Sequence, residues 1–423
     1  MTSALRSIKK YLRPFKVFYQ RRKNRVKRSP INKNNIKILF VVQRIECFNS
    51  SLSVYLRMIK DDSFDVTVLS LPKFLQFSAD RSNKFALESL NDIFKFCESL
   101  PGNHKTINSY NHLMKSYIKI EEYSFDYIFV NIPYEEQYPE EVNIKRLNKI
   151  GRICYLPYGY NSTKNSYLFE VTNPIPSLNF FDIYYAINKK SYGELLIKRM
   201  WVSQLLSRNK PLRNMGYPRF DLLDNASDRK GLRTLLWLPR WETSLDIGHE
   251  QSTFLAFKED IVSFAEMNPA IEVIIRPHPL MFENHIKAGK ISREELEHYF
   301  NRINSIPNIS FDKNDSYEKT LDRADLILSD FTGLLVEMFV MGKKVAYTGE
   351  KGDLKKEFYP MIDSFYEAKT WEQFLEVFQQ LSMGVDNKKQ KRDAAIKKFW
   401  TFNVSNAAVH IVDDIKRRCD AND

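Results

Sequence analysis

The chain has 423 residues and a formal net charge of +12, from 64 Lys and Arg residues against 52 Asp and Glu residues. Its length is sufficient for two domains, each with a full hydrophobic core. A hydrophobic fraction of 43% and an aromatic fraction of 13% exclude an intrinsically disordered chain. No apolar run approaches the roughly 20 residues of a membrane-spanning helix, and the amino terminus lacks the apolar core of a signal peptide. We therefore expect neither a membrane span nor a signal peptide.

The cysteines are spread through the chain without a pattern. Cys47, Cys97, Cys154 and Cys419 form no CxxC motif and no spacing typical of metal ligands. This arrangement predicts reduced thiols in a cytosolic protein and no metal site.

The positive charge lies at the amino terminus. Residues 1–45 contain 14 of the Lys and Arg residues and no acidic residue, which leaves 50 basic against 52 acidic residues elsewhere. Apolar residues recur there at helical spacing among basic ones, and 21–28 is polybasic. We predict that residues 1–30 bind the anionic cytoplasmic face of a membrane. A solvated tail is one alternative. Nucleic-acid binding is disfavoured, because the rest of the chain shows no basic, aromatic-rich surface.

Strand and helix patterns alternate through residues 36–206. Strands are predicted over 36–43, 64–69, 127–131, 152–156 and 183–186, and helices over 52–60, 86–100, 112–121 and 191–206. No GxGxxG run follows the first strand, so the dinucleotide-binding fingerprint is absent. The strand over 152–156 ends in the polar loop 157–164, where Tyr158 and Gly159 are candidate site residues. A plain surface turn is the alternative.

A second alternating set follows a linker at 209–211. Strands are predicted from Thr234 to a stop at Pro239 and over 271–275, 309–311 and 344–347, a strand–helix unit over 325–341, and helices over 254–267, 317–323, 371–381 and 393–418. This order predicts an α/β protein of two doubly wound, Rossmann-like domains with a cleft between them. The predicted parts are a tail over 1–35, a first domain over 36–210, a second domain over 211–395, and a carboxyl-terminal helix over 396–423 that crosses back.

The predicted strand over 271–275 ends in Arg-Pro-His-Pro, residues 276–279. The two prolines fix the backbone around His278 and prevent a helix from starting there. Arg276 can neutralise a diphosphate, and the imidazole can move a proton or donate to an oxygen. We therefore predict that both residues belong to the site, with a structural histidine as the alternative.

The strand–helix unit over 325–341 has a polar corner at 329–333. In α/β sheets such corners hold phosphorylated ligands, because the following helix presents free N–H groups. Thr332 is predicted to cap the helix, and Gly333 to let a phosphate approach the backbone. Asp330 is predicted to cap, to orient or to contact a sugar hydroxyl. An ordinary capped turn is the alternative.

Five short motifs occur in one order along the chain: Gly-Tyr-Pro-Arg-Phe-Asp at 216–221, Leu-Pro-Arg-Trp at 238–241, Arg-Pro-His-Pro at 276–279, Ala-Asp-Leu-Ile-Leu-Ser-Asp-Phe-Thr-Gly at 324–333, and Phe-Asn-Val-Ser-Asn-Ala-Ala at 402–408. With them the chain resembles the CDP-glycerol glycerophosphotransferase family, enzymes of teichoic acid and related capsule synthesis. The resemblance covers roughly residues 150–420. It implies a GT-B fold, membrane association through a basic surface, and no obligatory metal or other cofactor.

The resemblance also implies a reaction, in which an acceptor hydroxyl attacks the β-phosphorus of a CDP-alcohol and CMP leaves. It implies that the diphosphate is held, and the charge on the leaving group stabilised, by Arg276, His278, Ser329, Thr332 and Gly333. Glu337 would contact the ribose hydroxyls. The other implied substrate-binding residues are Arg240, Gly159 and Arg219, and the candidate catalytic residues are His278, Tyr158 and Asp330.

Two motifs depart from the family's pattern. The family usually has Trp-His-Gly-Thr in the first domain, whereas residues 157–160 are Pro-Tyr-Gly-Tyr and contain no histidine. Tyr158 is a poor base near neutral pH, because the reference pKa of tyrosine is about 10. Another group, such as His278, takes the proton, or the acceptor chemistry differs. The Pro-Thr-Trp-Arg pattern of the second domain is Pro-Arg-Trp-Glu at 239–242.

The sequence thus predicts a transferase at the cytoplasmic face of the membrane. It would move glycerol phosphate or a related alditol phosphate from a CDP-activated donor to a lipid-linked or polysaccharide acceptor. The alternatives are a glycosyltransferase that uses a CMP- or UDP-sugar, a nucleotide-sugar epimerase, and an inactive scaffold on the membrane surface, which the missing histidine suggests. Nucleic acid is not an expected partner.

Overall fold

The computed structural model describes residues 30–75, 85–160, 162–164, 180–191, 193–194, 212–224, 231–243, 252–312 and 317–421. The predicted membrane-binding segment, apart from residue 30, lies outside the described residues. So do most of the predicted helix over 191–206 and the predicted linker at 209–211. Within the described ranges, no helix is long and apolar enough to cross a membrane.

The chain divides into two compact units. The first comprises the described residues up to 160, within 167–222 and from 402 onward, and the second those within 161–166 and 223–401. The boundary thus follows residue 222, whereas the sequence predicted it at 210. Residues 218–222 belong to the first unit because Ser53 Oγ donates to Pro218 O at 2.7 Å, and the Asp221 carboxylate accepts from the backbone N–H groups of Ala407 and Ala408.

The first unit is a parallel sheet with helices. Its strands are β1 (Ile36–Val42), β2 (Phe64–Ser70), β3 (Lys73–Phe74), β4 (Phe85–Ala86), β5 (Lys105–Asn108), β6 (Tyr110–Asn111), β7 (Ser116–Tyr117), β8 (Tyr127–Val130), β9 (Arg152–Tyr155), β10 (Ile183–Ala186) and β11 (Leu212–Asn214). Helices are α1 (Ile45–Met58), α2 (Ser89–Ser99) and α3 (Ile144–Ile150), with short 3₁₀ turns at Ile120–Glu122, Glu135–Gln137, Glu140–Val142 and Pro218–Leu222. The sheet order is β11-β10-β9-β8-β1-β2-β5, so the chain winds outward in both directions from β1.

The helix predicted over 112–121 is wrong. Residues 110–117 form an antiparallel hairpin of β6 and β7, followed by the 3₁₀ turn at Ile120–Glu122. The Asn111 side chain causes the turn, because its Oδ1 accepts from the N–H groups of Leu113 and Met114. Lys115 then adopts a positive φ of 49°.

The second unit is built on the same plan. Its strands are β12 (Thr234–Leu238), β13 (Glu272–Ile275), β14 (Ile309–Phe311), β15 (Leu326–Ser329), β16 (Val345–Tyr347) and β17 (Tyr366–Glu367), all parallel in the order β14-β13-β12-β15-β16-β17. Its helices are α4 (Phe254–Met267), α5 (Met281–Lys287), α6 (Arg293–Asn304), α7 (Glu318–Arg323), α8 (Leu335–Val340), α9 (Tyr359–Asp363), α10 (Trp371–Ser382) and α11 (Lys389–Phe402), with 3₁₀ turns at Lys351–Asp353 and Lys356–Phe358. Strand β12 is buried along its whole length, as expected for a central strand covered on both faces.

The carboxyl-terminal helix is interrupted. In place of one helix over 393–418, α11 ends at Phe402 and α12 (Ala407–Ala421) begins after a break in which Asn406 has a φ of 54°. The Asp221 carboxylate binds the first N–H groups of α12 and fixes its start. Helix α12 then buries Ile411 and Ile415 in the core of the first unit.

Gly216, in the first of the family-like motifs, is the position where an added side chain should cost most. Its φ is +87°, and a Cβ there would lie 2.3 Å from Val404 O. We expect Gly216→Ala to lower the free energy of unfolding by more than about 1 kcal/mol, measured by urea denaturation. Gly231→Ala is the matched control, because Gly231 has a φ of +84° but no described atom within 4 Å of its Cβ position. Equal losses in both variants would contradict a role for the Val404 contact.

Candidate functional site

Three parallel strands of the second unit end at one edge of its sheet. Strand β12 pairs with β13 on one side and with β15 on the other, and the chain reverses its winding direction there. Such switch points are where doubly wound proteins bind ligands, beyond the carboxyl ends of the strands. The segments that leave this edge are 239–243, 276–280 and 330–334. Both strand ends that the sequence singled out therefore lie at the same edge, on either side of β12.

Asp330 is buried at the centre of this edge, with 1% of its surface exposed. Its Oδ2 accepts from the N–H groups of Arg240 and Thr253, and its Oδ1 from the hydroxyls of Thr253 and Thr348, over 2.6–2.9 Å. Burial raises the pKa of Asp330, and these four hydrogen bonds oppose the rise. The carboxylate thus faces protein donors and fixes the backbone at the end of β12. Asp330 therefore positions the segment after β12 and does not itself face a ligand.

Arg240 is held by aromatic and backbone contacts just beyond β12. Its guanidinium lies over the Phe331 ring, with Cζ 4.8 Å from the centroid, and Nη1 donates to Phe331 O at 3.3 Å. The side chain is half-buried, and the ring of Trp241 is 5.8 Å from its Cζ. Arg240 therefore has a defined place at the carboxyl edge of the sheet.

His278 lies beside Arg240 at the end of β13. Its ring centroid is 5.9 Å from that of Trp241, and its Nδ1 accepts from the N–H of Leu280 at 3.2 Å. Shielding of the ring by the surrounding protein, together with the Arg240 cation, lowers the pKa of His278 to about 4, although the residue as a whole is exposed. The ring is therefore neutral at pH 7. Because Nδ1 is an acceptor, the proton is on Nε2, which can donate a hydrogen bond to a ligand.

Arg276 follows the same strand and is paired with an acidic side chain. Its Nη1 forms an ion pair with Asp312 Oδ2 at 2.7 Å, and Thr320 Oγ1 donates to the same oxygen. The guanidinium also approaches the Tyr317 ring, whose hydroxyl donates to both carboxylate oxygens of Glu337 at 3.0 Å. Glu337 is buried. The sequence predicted that its carboxylate would contact the ribose hydroxyls of a ligand, whereas in the structure the carboxylate accepts from the Tyr317 hydroxyl.

The other predicted residues of the corner divide into buried and open ones. Ser329 is fully buried, and its Oγ donates to Asp330 O at 2.7 Å. This corrects the expectation that its hydroxyl holds the diphosphate: it supports the corner from within. Helix α8 begins at Leu335 with Leu334 in the N-cap position. Thr332 therefore does not cap the helix but accepts from Leu334 N–H at 3.3 Å.

Gly333 is exposed and offers open space to a ligand. No atom of the described chain lies within 4 Å of its Cβ position, and its φ is not in the left-handed region. We expect Gly333→Ala to leave the melting temperature unchanged, because nothing is displaced. If a phosphate approaches this backbone, the variant should raise the KM for the donor about tenfold, which corresponds to a loss of about 1.4 kcal/mol in binding. Gly352→Ala, at another open glycine, is the control; an unchanged KM in Gly333→Ala would contradict the close approach.

The predicted residues of the first unit lie at a different sheet. Tyr158 follows β9, and its hydroxyl is 3.1 Å from that of Tyr134. Burial, and then the neighbouring Tyr134, raises the pKa of Tyr158, so that it is not a base near neutral pH. Gly159 is exposed beside it. Arg219 is buried in the 3₁₀ turn at Pro218–Leu222, which corrects the expectation that it contacts a substrate.

Several residues of the site were missed from the sequence. Thr253, Thr348 and Tyr317 hold Asp330 and Glu337 in place, yet they come from the starts of helices and from a loop that no motif marks. Trp241 was inside a quoted motif, but only the structure brings it to His278. Only the order of the strands around β12 could have indicated these residues, because it shows which strand ends and loops lie next to one another.

Two comparisons gave no match: no protein-family model matches the chain, and neither does any curated protein. Among solved structures, the chain is similar to the wall teichoic acid polymerase TagF, with 12% identity, coverage of 99% of this chain and 98% of that chain, and a TM-score of 0.54. It is also similar to UDP-GlcNAc 2-epimerase from Neisseria meningitidis bound to UDP-GlcNAc, with 13% identity, coverage of 90% and 100%, and a TM-score of 0.53. A third is S. aureus MnaA with UDP, with 13% identity, coverage of 90% and 96%, and a TM-score of 0.51.

The chain has the GT-B fold. Two Rossmann-like units of parallel strands, as in these structures, confirm the predicted fold class. At such low identities the similarity establishes the fold, and the chemistry has to be argued from the side chains at the sheet edges.

Proposed function

We propose that the protein is a transferase that moves glycerol phosphate, or a related alditol phosphate, from a CDP-activated donor to a lipid-linked or polysaccharide acceptor. The observation that supports it most is the group of Arg240, Arg276 and His278 beyond the carboxyl ends of β12 and β13, at the switch point of the second unit. Two guanidinium groups and a neutral N–H donor suit a diphosphate. The fold shared with a wall teichoic acid polymerase agrees with this reading.

In the proposed reaction the acceptor oxygen bonds to the β-phosphorus of the donor. The bond from this phosphorus to the bridging oxygen breaks, and CMP leaves with the electron pair. Arg240 and Arg276 would stabilise the charge that grows on the leaving phosphate, and His278 Nε2–H would donate to one of its oxygens. This proposal invokes no metal: the positive charge comes from the guanidinium of Arg240 and from that of Arg276, which also keeps its ion pair with Asp312.

The proton of the acceptor hydroxyl passes to solvent water, because neither of the two groups first considered can accept it. Tyr158 is unsuitable because burial raises its pKa. His278 is unsuitable because its Nδ1 already accepts from Leu280 N–H and its Nε2 bears the proton. We therefore assign His278 to hydrogen-bond donation, and Asp330 to positioning of the β12 end.

A donor screen tests this function. The purified protein is incubated with CDP-glycerol, CMP-sugars and UDP-sugars, with and without lipid-linked acceptor in vesicles, and release of CMP, UMP and UDP is measured. We expect CMP release from CDP-glycerol that requires the acceptor. Turnover of a sugar nucleotide alone, with none of CDP-glycerol, would assign the chain to the glycosyltransferases instead.

Two arginines at opposite ends of β12 give a matched pair for this screen. Arg240 follows the carboxyl end of the strand, whereas Arg233 precedes its amino end and is exposed. We expect Arg240→Gln to lower turnover and Arg233→Gln to leave it unchanged. Equal effects would show that general positive charge, not the site, is responsible.

A nucleotide-sugar epimerase is the second candidate, because the Neisseria meningitidis epimerase matches the chain as well as the polymerase does, with TM-scores of 0.53 and 0.54. The two are separated when the sugar product is also analysed in the acceptor-free reactions of this screen. An epimerase converts its sugar donor without any acceptor, whereas the proposed transferase depends on one.

We also propose that residues 1–30 hold the protein on the cytoplasmic face of the membrane. The segment 21–28 contains six basic residues in eight positions, each worth about 1 kcal/mol near an anionic surface. Sedimentation with vesicles tests it: binding to anionic vesicles is expected, with loss when the basic residues of 21–28 are changed to Gln. Equal binding to neutral vesicles, or no loss in the variant, would contradict it.

A further inference from the structure

The first unit has its own switch point, between β1 and β8. Strand β1 is followed by Gln43 and Arg44, and β8 by Asn131. These residues, with Cys47 and Tyr138, line a small cavity with room for about one water-sized group. No ligand site was predicted at this cavity, because no glycine-rich fingerprint follows β1.

Gln43 presents a buried acceptor to this cavity. Its side chain is 3% exposed, and its Nε2 donates to Pro72 O at 3.1 Å and to Gln137 O at 2.5 Å. These two bonds fix the orientation of the amide and leave Oε1 for the cavity. Oε1 finds no hydrogen-bond partner in the described part of the chain. A buried oxygen of this kind is normally satisfied by a donor, so the cavity suits a hydroxyl group.

Arg44 and the start of helix α1 supply positive charge and N–H donors beside the same cavity. Arg44 is the N-cap residue of the 14-residue helix α1, and no side chain among the described residues caps it. Its own Nε is buried and unpartnered within those residues. The N–H groups of Ile45 and Glu46 have no intrahelical acceptor, and the helix dipole is positive there. A guanidinium beside free amides suits an anionic oxygen.

Two tyrosine hydroxyls extend this group. Tyr134 follows β8 and Tyr158 follows β9, and their hydroxyl oxygens are 3.1 Å apart. Burial raises the pKa of both phenols, and the Arg44 cation opposes the rise in both. Both hydroxyls are therefore protonated near pH 7 and able to donate to, or accept from, a polyol. The edge thus combines one cation, one orphaned acceptor and two hydroxyls, with the exposed Glu46 in the first turn of α1 as an acidic neighbour.

We propose that the switch point of the first unit binds the phosphorylated polyol end of the acceptor. A phosphate oxygen would lie against Arg44 and the start of α1, and a neighbouring hydroxyl would donate to Gln43 Oε1. That this ligand is the acceptor of the reaction rests on the proposed function. That it is a phosphorylated polyol follows from the residues at the site. A ligand with a hydroxyl next to a phosphate can donate to Gln43 Oε1 and place its phosphate against Arg44 at the same time.

Binding of sn-glycerol 3-phosphate to the full chain tests this inference without any donor. Ligand-observed NMR titrations compare the wild type with Arg44→Gln and with Arg57→Gln, a control with the same charge change at the other end of α1, where the residue is exposed. We expect binding by the wild type, at least tenfold weaker binding by Arg44→Gln, and no change in Arg57→Gln. No binding by the wild type, or equal losses in both variants, overturns the inference.

Two further probes test the hydroxyl half. Inorganic phosphate lacks the carbon-bound hydroxyl, and glycerol lacks the charge, so both are expected to bind more weakly than sn-glycerol 3-phosphate. Equal affinity for inorganic phosphate would overturn the role of Gln43. Gln43→Leu should remove the difference between the two phosphates, and its melting temperature checks that the chain is still folded.

The outcome can be separated from that of the proposed function. The same titration in His278→Ala, which alters only the second unit, should give the wild-type affinity for sn-glycerol 3-phosphate. An active transferase that does not bind this probe would overturn the inference and leave the function in place. Specific binding of sn-glycerol 3-phosphate by a chain that releases no nucleotide from any donor would support the inference and contradict the proposed function.

Discussion

His278→Ala is expected to lower kcat about a hundredfold, the effect of losing one donor to an oxygen that gains charge in the transition state. His278→Gln should recover part of this loss, because its amide nitrogen can donate as Nε2–H does but cannot act as a base. Steady-state kinetics of both variants, with circular dichroism to check folding, make the comparison. Equal loss in both variants would indicate proton transfer by the imidazole and contradict the assignment.

The pH dependence of the wild type gives an independent check. The pKa of His278 is lowered in the folded protein, so the ring stays neutral when the pH falls through the usual range of histidine near 6.5. We therefore expect no inflection in kcat/KM from this group between about pH 5.5 and 8. An acidic limb near pH 6.5 that disappears in His278→Gln would contradict this expectation.

Asp330→Ala is expected to lower the free energy of unfolding of the second unit by about 3–5 kcal/mol. The substitution leaves the N–H groups of Arg240 and Thr253 and the hydroxyls of Thr253 and Thr348 without their buried acceptor. Urea denaturation measures the loss. A change within about 0.5 kcal/mol, typical of surface sites, would contradict the role of the carboxylate in fixing the β12 end.

Asp330→Asn is the matched control, because one amide oxygen can accept from both N–H groups while the amide nitrogen donates to the two threonine hydroxyls. Burial raises the pKa of Asp330, so its contribution to stability is largest at low pH and falls as the pH rises through that pKa. The Asn variant should therefore gain stability relative to the wild type on going from pH 4 to pH 7. It should also retain most of the activity; a stable but inactive Asn variant would make Asp330 catalytic.

The strands and their ends were largely predictable. Strand Ile183–Ala186, helix Phe254–Met267 and strand Ile309–Phe311 have the predicted bounds, because apolar runs flanked by polar residues mark buried elements clearly. The hairpin at 110–117 was not predictable from periodicity, since the Asn111 side chain overrides a helical pattern. The same is true of the break before α12, which depends on Asp221, far away in the sequence.

The candidate site was predictable in its place but not in the roles of its residues. Residue types placed Arg276 and His278 at a strand end, and parallel pairing brought that end beside the corner at 329–333. Burial decided the rest: Ser329 and Arg219 face the interior, which no local pattern reveals. The tautomer of His278 depends on the N–H of Leu280, and therefore on a backbone geometry that the prolines permit but do not specify.

The measurement that tests the central claim most directly is a crystal structure of the protein with CDP bound. We predict that the diphosphate lies beyond the carboxyl ends of β12, β13 and β15, with oxygens within hydrogen-bonding distance of Arg240 or Arg276 and of His278 Nε2. A diphosphate at the amino ends of these strands, or one that contacts none of the three side chains, would contradict the claim.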